Sequence, residues 1–251
     1  MPRHPAPCLR GGAVTGSRLP DFVGIGAQKA GTTWIHHQLR AHPQLFLPET
    51  KELNFFYRDL PTSWYAKHFE QAEAEQVAGE VSPNYFAQAG VAERMHALVP
   101  EARLFCILRE PVARAFSQWK MARALGNIAP STPFIEAFRR NERWLAEQGD
   151  YIALLERFTR FYPLHDRLLV LFYDDLVHSP QALISRLYAH LGVDPHFHPP
   201  GLRQVIWASE DRSTISEADR AEVAAFYADS ISALEALTAR DLSAWRNASG
   251  E

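Results

Sequence analysis

Lys29 lies in a glycine-bounded segment with the composition of an anion-binding loop. Residues 22–34 read FVGIGAQKAGTTW, an apolar run followed by a turn and then by two threonines that begin a helix-like stretch. Glycines let backbone N–H groups turn toward a ligand, and a helix N-terminus adds partial positive charge. The segment therefore predicts a site for phosphate or sulfate.

The position of the lysine separates this loop from an ordinary nucleotide site. Nucleoside-triphosphate loops read GxxxxGK[ST], with the lysine directly after the second glycine. Here Gly26 and Gly31 have the matching separation, but Thr32 follows and Lys29 lies inside the loop. A kinase or other phosphotransferase stays open as an alternative, because Asp174 and Asp175 follow an apolar run as a metal-binding aspartate would.

A second candidate anion ligand, Arg109, follows the apolar run at 103–108. Pro111 stands at a plausible first helical position, and Ser117 lies two helical turns beyond it. The carboxyl ends of parallel strands share one sheet edge, so Arg109 and Lys29 are expected to lie close together. The planar guanidinium can donate two hydrogen bonds to one phosphate group.

Together, GxxKxGTTW and R-x-P-x-x-R-x-x-S resemble the donor-binding motifs of sulfotransferases that use 3′-phosphoadenosine 5′-phosphosulfate (PAPS). The resemblance implies PAPS as co-substrate and a 3′-phosphate held by Arg109 and Ser117. A looser match at Asp211-Arg212-Ser213 adds Arg212. The implied donor-binding residues are Gln28, Lys29, Ala30, Gly31, Thr32, Thr33, Trp34, Arg109, Ser117 and Arg212.

Two further segments resemble the branch that contains heparan sulfate N- and 3-O-sulfotransferases and bacterial relatives. Residues 51–56 read KELNFF and residues 79–86 read GEVSPNYF. The resemblance implies Glu52 as the base and places Lys51, Tyr85 and Phe86 on the acceptor side. The branch carries a lysine where this chain has Val81, which puts a sulfated glycan acceptor in doubt, and Glu210 and Asp211 replace a lysine and a glycine of the late loop.

Sulfuryl transfer is an in-line displacement, so catalysis consists largely of positioning and electrostatic stabilisation. Lys29 is expected to stabilise the charge that develops on the departing nucleotide. Glu52 is expected to remove the proton of an attacking hydroxyl or amine. The acceptor is a small molecule or a saccharide, and no metal is expected, since the histidines show no metal-ligand spacing. A non-catalytic nucleotide-binding protein is a third possibility, which Glu52 argues against.

Strand and helix signals alternate along the chain, and this order predicts an α/β fold: a P-loop-like three-layer sandwich with a mostly parallel central sheet flanked by helices. The predicted strands are 22–26, 45–47, 77–81, 103–108 and 168–173. The predicted helices are 32–41, 91–98, 112–125, 132–148, 152–161, 180–191 and 216–237.

Length and charge favour a single enzyme domain. The 251 residues, 47% of them hydrophobic, can bury a substantial core. The net charge of −3 disfavours nucleic-acid or anionic-membrane partners, and the two cysteines indicate no disulfide framework, which suits a cytoplasmic and, by composition, bacterial protein. We expect a disordered tail at 1–20 and one domain at 21–247. The oligomeric state is not determined by the sequence.

Overall fold

A computed structural model describes residues 18–202 and 211–246. The expected tail at residues 1–17, the domain end at 247 and Glu210 lie outside these described residues. Five strands form one sheet: β1 (Phe22–Gly26), β2 (Leu45–Phe46), β3 (Val77–Val81), β4 (Arg103–Leu108) and β5 (Leu168–Phe172). Every strand pairing in the described part is parallel, and the strand order is β2-β3-β1-β4-β5.

The strands are mainly apolar because both faces of the sheet are covered; the charged exceptions are Glu80 on β3 and Arg103 at the start of β4. β1 and β5 are buried at every position, so side chains that point to opposite faces are all shielded from water. The helices are α1 (Thr32–Ala41), α2 (Thr62–Lys67), α3 (Val91–Leu98), α4 (Pro111–Ala124), α5 (Phe134–Arg139), α6 (Tyr151–Thr159), α7 (Tyr173–His178), α8 (Pro180–Leu191), α9 (Glu217–Thr238) and α10 (Ser243–Arg246). The predicted α/β fold with a parallel sheet flanked by helices is confirmed.

The strand order places a crevice between β1 and β4. The connection after β1 leads toward β2 on one side, whereas the connection after β4 leads toward β5 on the other. In open parallel sheets such a reversal opens a ligand crevice at the carboxyl ends of the strands. The loops that carry Lys29 and Arg109 leave the sheet at this point.

One predicted helix, 132–148, is wrong. Only α5 is α-helical there, and short 3-10 turns follow at Glu142–Trp144 and Glu147–Gly149. Asn141, Arg143 and Trp144 adopt positive φ angles of 49°, 52° and 58°, which no α-helix allows. The Asn141 side chain instead accepts hydrogen bonds from the Ala146 and Glu147 N–H groups and so closes a turn.

Candidate active site

The loop from β1 to α1 takes a left-handed turn at two of its residues. Lys29 has a φ of 65° and Gly31 a φ of 96°. Gly31 precedes the first residue of α1, and no side chain caps the N-terminus of this helix. Its first backbone N–H groups are therefore available to an anion, with the helix dipole behind them.

The remaining loop residues differ in exposure. Ala30 and Thr32 are buried, Thr33 is exposed, and Gln28 is half-buried with its amide donating to the Asn84 side-chain oxygen. Trp34 is buried, and its indole N–H donates to the Leu202 carbonyl at 3.1 Å. Trp34 thereby anchors α1 to the segment before residue 203.

The structure brings Arg109 against the Lys29 loop. The Arg109 guanidinium donates to the Lys29 carbonyl oxygen at 3.1 Å and lies 4.7 Å from the centre of the Tyr173 ring. The Tyr151 hydroxyl donates to the Arg109 carbonyl at 2.7 Å, which fixes the backbone where β4 ends. The side chain is thus held at the crevice by a hydrogen bond and an aromatic face while it keeps further N–H donors for a ligand.

Lys29, Arg109 and Lys120 form a group of cations, here called the cation cluster. Burial lowers the pKa of Lys29 from its ordinary value, and the charges of Arg109 and then Lys120 lower it further. Among residues 18–202 and 211–246, no carboxylate forms an ion pair with any of the three. Repulsion among these cations is what a bound polyanion would relieve.

Helix α4 carries the far wall of the crevice. The Lys29 ammonium lies 3.6 Å from the Met121 sulfur, and Met121 is one turn beyond the half-buried Ser117 on the same helix face. Glu110 caps the helix by accepting from the Val112 and Ala113 N–H groups at 2.9 and 2.7 Å. Ser117 therefore faces the same side as the cation cluster.

The late segment lies against α4. Lys120 donates to the Asp211 carbonyl at 3.1 Å, and the Asp211 carboxylate lies 3.9 Å from the Arg123 guanidinium. Arg212 itself is exposed. It therefore lies beside the wall that carries Ser117 and Lys120.

Lys51 and Glu52 form an ion pair near His36 of α1. The Lys51 ammonium lies 2.6 Å from a Glu52 carboxylate oxygen, and both side chains are partly exposed. Burial lowers the pKa of the neighbouring His36 to about 4, and the charges of Lys51, Arg40 and His37 act in the same direction. His36 is therefore neutral near pH 7.

Tyr85 and Phe86, which the resemblance placed on the acceptor side, are buried at 0% and 1% exposure. The Tyr85 hydroxyl donates to Glu80 at 2.8 Å and accepts from the Phe55 N–H at 2.8 Å. Phe86 packs near Tyr151 and Phe158. Tyr85 is thus bonded to the segment that follows Glu52, and Phe86 is part of the core.

Comparisons with known proteins identify the family. A family model described as "Sulfotransferase family" matches residues 62–199, which is more than half of the chain. The chain belongs to the sulfotransferase family.

Relatives of this sulfotransferase include human enzymes and a solved bacterial structure. Human bifunctional heparan sulfate N-deacetylase/N-sulfotransferase 2 is 30% identical over 72% of this chain and 23% of its own length. Human heparan sulfate glucosamine 3-O-sulfotransferase 6 is 29% identical over 72% of this chain and 56% of its own length. The structure of a sulfotransferase from Alicyclobacillus acidocaldarius, 26% identical, superposes with a TM-score of 0.80 over 92% of this chain and all of its own. The chain thus spans about half the length of the 3-O-sulfotransferase and less than a quarter of the length of the N-deacetylase/N-sulfotransferase.

Sequence reasoning missed several residues at the site of this sulfotransferase. Lys120 could have been found, because it lies three positions after Ser117 on one helix face. Tyr173 could have been found too, since it directly follows a strand that ends at the same sheet edge. Asn84, which binds Gln28, gave no signal in the sequence.

Within the described residues, no helix is long and apolar enough to cross a membrane, and no three His, Cys, Asp or Glu side chains cluster as metal ligands would.

Proposed function

We propose that this chain transfers a sulfuryl group from PAPS to a hydroxyl or amine of a small-molecule or saccharide acceptor. The observation that carries the proposal is the cation cluster, in which Arg109 donates to the Lys29 carbonyl across the β1–β4 crevice. PAPS bears a 5′-phosphosulfate and a 3′-phosphate, and the two anionic groups require cations at two places. Lys29 with the α1 N-terminus serves the first, and Arg109 with Ser117 serves the second.

Catalysis in this proposal is divided between two sides of the crevice. Lys29 stabilises the charge that grows on the departing nucleotide. Glu52 takes the acceptor proton, and its ion pair with Lys51 orients the carboxylate. The heparan sulfate relatives support a saccharide as one acceptor class. The branch lysine replaced by Val81 removes a cation from that side, so unsulfated alcohols and amines also belong in the test.

The structure disfavours the kinase alternative. Arg240 donates to both oxygens of Asp175 at 2.6 and 2.7 Å, and the Trp245 indole N–H donates to Asp174 at 3.1 Å. Both carboxylates are therefore engaged with the C-terminal segment.

We also propose that the protein is bacterial and cytoplasmic, a proposal supported by composition alone.

Two measurements test the function. Calorimetric titration should show tight binding of 3′-phosphoadenosine 5′-phosphate (PAP), with ATP and Mg²⁺ binding far more weakly. Radiolabelled PAPS should then be incubated with heparan sulfate glucosamine oligosaccharides, phenols, alcohols and amines. Glu52→Gln keeps the size of the side chain but not its basicity, so it should slow transfer by roughly 10²–10⁴-fold while PAP still binds. Equal affinity for PAP and ATP, or phosphate transfer from ATP, would refute the proposal.

A further inference from the structure

Glu80 is a buried carboxylate that the transfer reaction does not itself require. It lies on β3 with 2% exposure, and no cation pairs with it among the described residues. Burial raises the pKa of its carboxyl, and the hydrogen bonds that it accepts oppose this rise. A buried acid is costly unless its oxygens are satisfied, so the partners of Glu80 identify what it does.

The partners of Glu80 are three hydroxyl groups. Tyr65 and Tyr85 donate to one carboxylate oxygen at 2.6 and 2.8 Å, and Ser82 donates to the other at 2.6 Å. Both oxygens of Glu80 therefore act as acceptors.

Two of these hydroxyls continue to the backbone that follows Glu52. The Ser82 oxygen accepts from the Asn54 N–H at 3.1 Å, and the Tyr85 oxygen accepts from the Phe55 N–H at 2.8 Å. Each hydroxyl accepts on one side and so directs its proton toward Glu80. Two consecutive N–H groups, those of Asn54 and Phe55, are thus connected to one carboxylate, each through a hydroxyl.

The backbone held in this way is in a conformation that needs support. Glu52 has a φ of 67° and Asn54 a φ of 55°. Left-handed residues other than glycine cost roughly 1–3 kcal/mol and persist where the surroundings fix them. The hydrogen bonds that Ser82 and Tyr85 accept from the Asn54 and Phe55 N–H groups supply that fixation shortly after Glu52.

We propose that Glu80 is a positioning residue that holds Glu52 at the crevice through the Ser82 and Tyr85 hydroxyls. This inference rests on the proposed function, because it assumes that Glu52 is the base. A carboxylate suits the role and an amide does not. Glutamine would present its NH2 group either to Ser82 or to the two tyrosine hydroxyls, and the protons of all three need acceptors.

The structure offers a matched control at Tyr65. This hydroxyl donates to the same Glu80 oxygen as Tyr85, but no backbone N–H of residues 53–55 is bound to it. Its ring stacks on Phe55 with centroids 4.2 Å apart, and phenylalanine would keep that contact. Tyr65→Phe therefore disturbs Glu80 without cutting a connection to the Glu52 segment.

The test compares Ser82→Ala and Tyr85→Phe with Tyr65→Phe, using radiolabelled PAPS and a heparan sulfate glucosamine oligosaccharide. Because an error of about 1 Å in a reacting group can cost ~10²-fold, we expect kcat to fall roughly 10–100-fold in the first two variants and at most about twofold in Tyr65→Phe. The affinity for PAP should stay unchanged in all three. Amide exchange should accelerate at Asn54 in Ser82→Ala and at Phe55 in Tyr85→Phe.

A double variant separates positioning from a general loss of structure. If Ser82 acts through Glu52, Glu52→Gln with Ser82→Ala should be no slower than Glu52→Gln alone. Additive losses would overturn the inference, as would full activity of Ser82→Ala and Tyr85→Phe beside an inactive Glu52→Gln. A wild-type protein that binds no PAP and transfers no sulfate would instead refute the proposed function, and this inference with it.

Discussion

At the scale of single residues, the site is a set of cations none of which forms an ion pair with a carboxylate of the described residues. The lowered pKa of Lys29 follows from burial and from the nearby charges of Arg109 and Lys120. A sequence can place each of these residues at a strand end or on a helix. It does not show whether a carboxylate pairs with them, because that depends on how distant segments pack.

Arg109 should distinguish nucleotides by their 3′-phosphate. Arg109→Ala removes the guanidinium that lies between the Lys29 carbonyl and the Tyr173 ring. A hydrogen bond to a charged group contributes about 1.5–3 kcal/mol, so PAP affinity should fall roughly 10–100-fold while AMP affinity changes little. Calorimetry with both nucleotides measures this. Arg109→Lys is the matched control, since it keeps the charge but loses the planar fork, and it should recover only part of the affinity. Equal losses for PAP and AMP would contradict the assignment.

His36 should make the protein less stable in mild acid. Its folded pKa of about 4 lies below the ordinary value of 6.5, so the unfolded chain binds a proton in that interval and the folded protein does not. The free energy of unfolding should therefore rise with pH between about 4 and 6.5. In His36→Gln the slope should be smaller by at most about 1.4 kcal/mol per pH unit, the limit for one proton. Urea unfolding at pH 5, 6 and 8 tests this. The two proteins should differ in slope below pH 6.5 and run parallel near pH 8, and parallel curves throughout would show that His36 is not the cause.

At the scale of elements, the sequence correctly predicts the helices and strands whose bounds depend on neighbouring residues. β1, α1, β3, α3, β4 and α8 match their predicted bounds, because an apolar run or a helical period with a Gly or Pro boundary specifies each. The helix predicted at 132–148 failed for a tertiary reason. Arg114, fully buried on α4, donates to the Leu145 carbonyl and to Gln118, so residues that favour helices are held in a broken turn.

The predicted last strand was one residue too long, and α7 was missed. Tyr173 begins that helix, with Asp174 and Asp175 in its first turn where the helix dipole favours negative charge. The buried Glu80 network was missed as well. Nothing local indicates that Ser82 and Tyr85 would bind the backbone of residues some 30 positions earlier.

Gly31 and Gly90 provide a matched pair for the loop before α1. Each precedes a helix in the left-handed conformation, with φ of 96° and 75°. A Cβ at Gly31 would lie 2.9 Å from a Leu176 methyl carbon, whereas nothing lies within 4 Å at Gly90. Both alanine variants should lose about 1–2 kcal/mol of stability from backbone strain. Gly31→Ala should lose more and should also weaken PAP binding, while Gly90→Ala should bind PAP normally. Denaturant unfolding and calorimetry check this. Normal PAP binding by Gly31→Ala would show that the loop before α1 does not bind the nucleotide closely.

At the scale of the whole molecule, the C-terminal segment closes over the strand that ends the sheet. α10 brings Trp245 to Asp174 and near Phe172, and Arg240 lies 4.3 Å over the Phe172 ring while it pairs with Asp175. Parallel sheets are buried on both faces, so the carboxyl end of β5 needs such a cover. The same contacts occupy the aspartates on which a phosphotransferase would depend.

Asp175→Asn should therefore lower the stability of the protein without lowering its activity. It leaves Arg240 with one good acceptor in place of two, and because the pair is partly exposed the cost should be about 1 kcal/mol. Sulfate transfer and PAP affinity should stay near wild type, since Asp175 belongs to the C-terminal cover and not to the cation cluster. Thermal unfolding, PAP titration and the transfer assay on one preparation measure all three quantities. Arg240→Ala is the control, because it removes the same pair from the other side and should lower stability without altering transfer. If Asp175→Asn instead abolished activity while Arg240→Ala kept it, Asp175 would have a role in the chemistry, and the phosphotransferase alternative would be favoured.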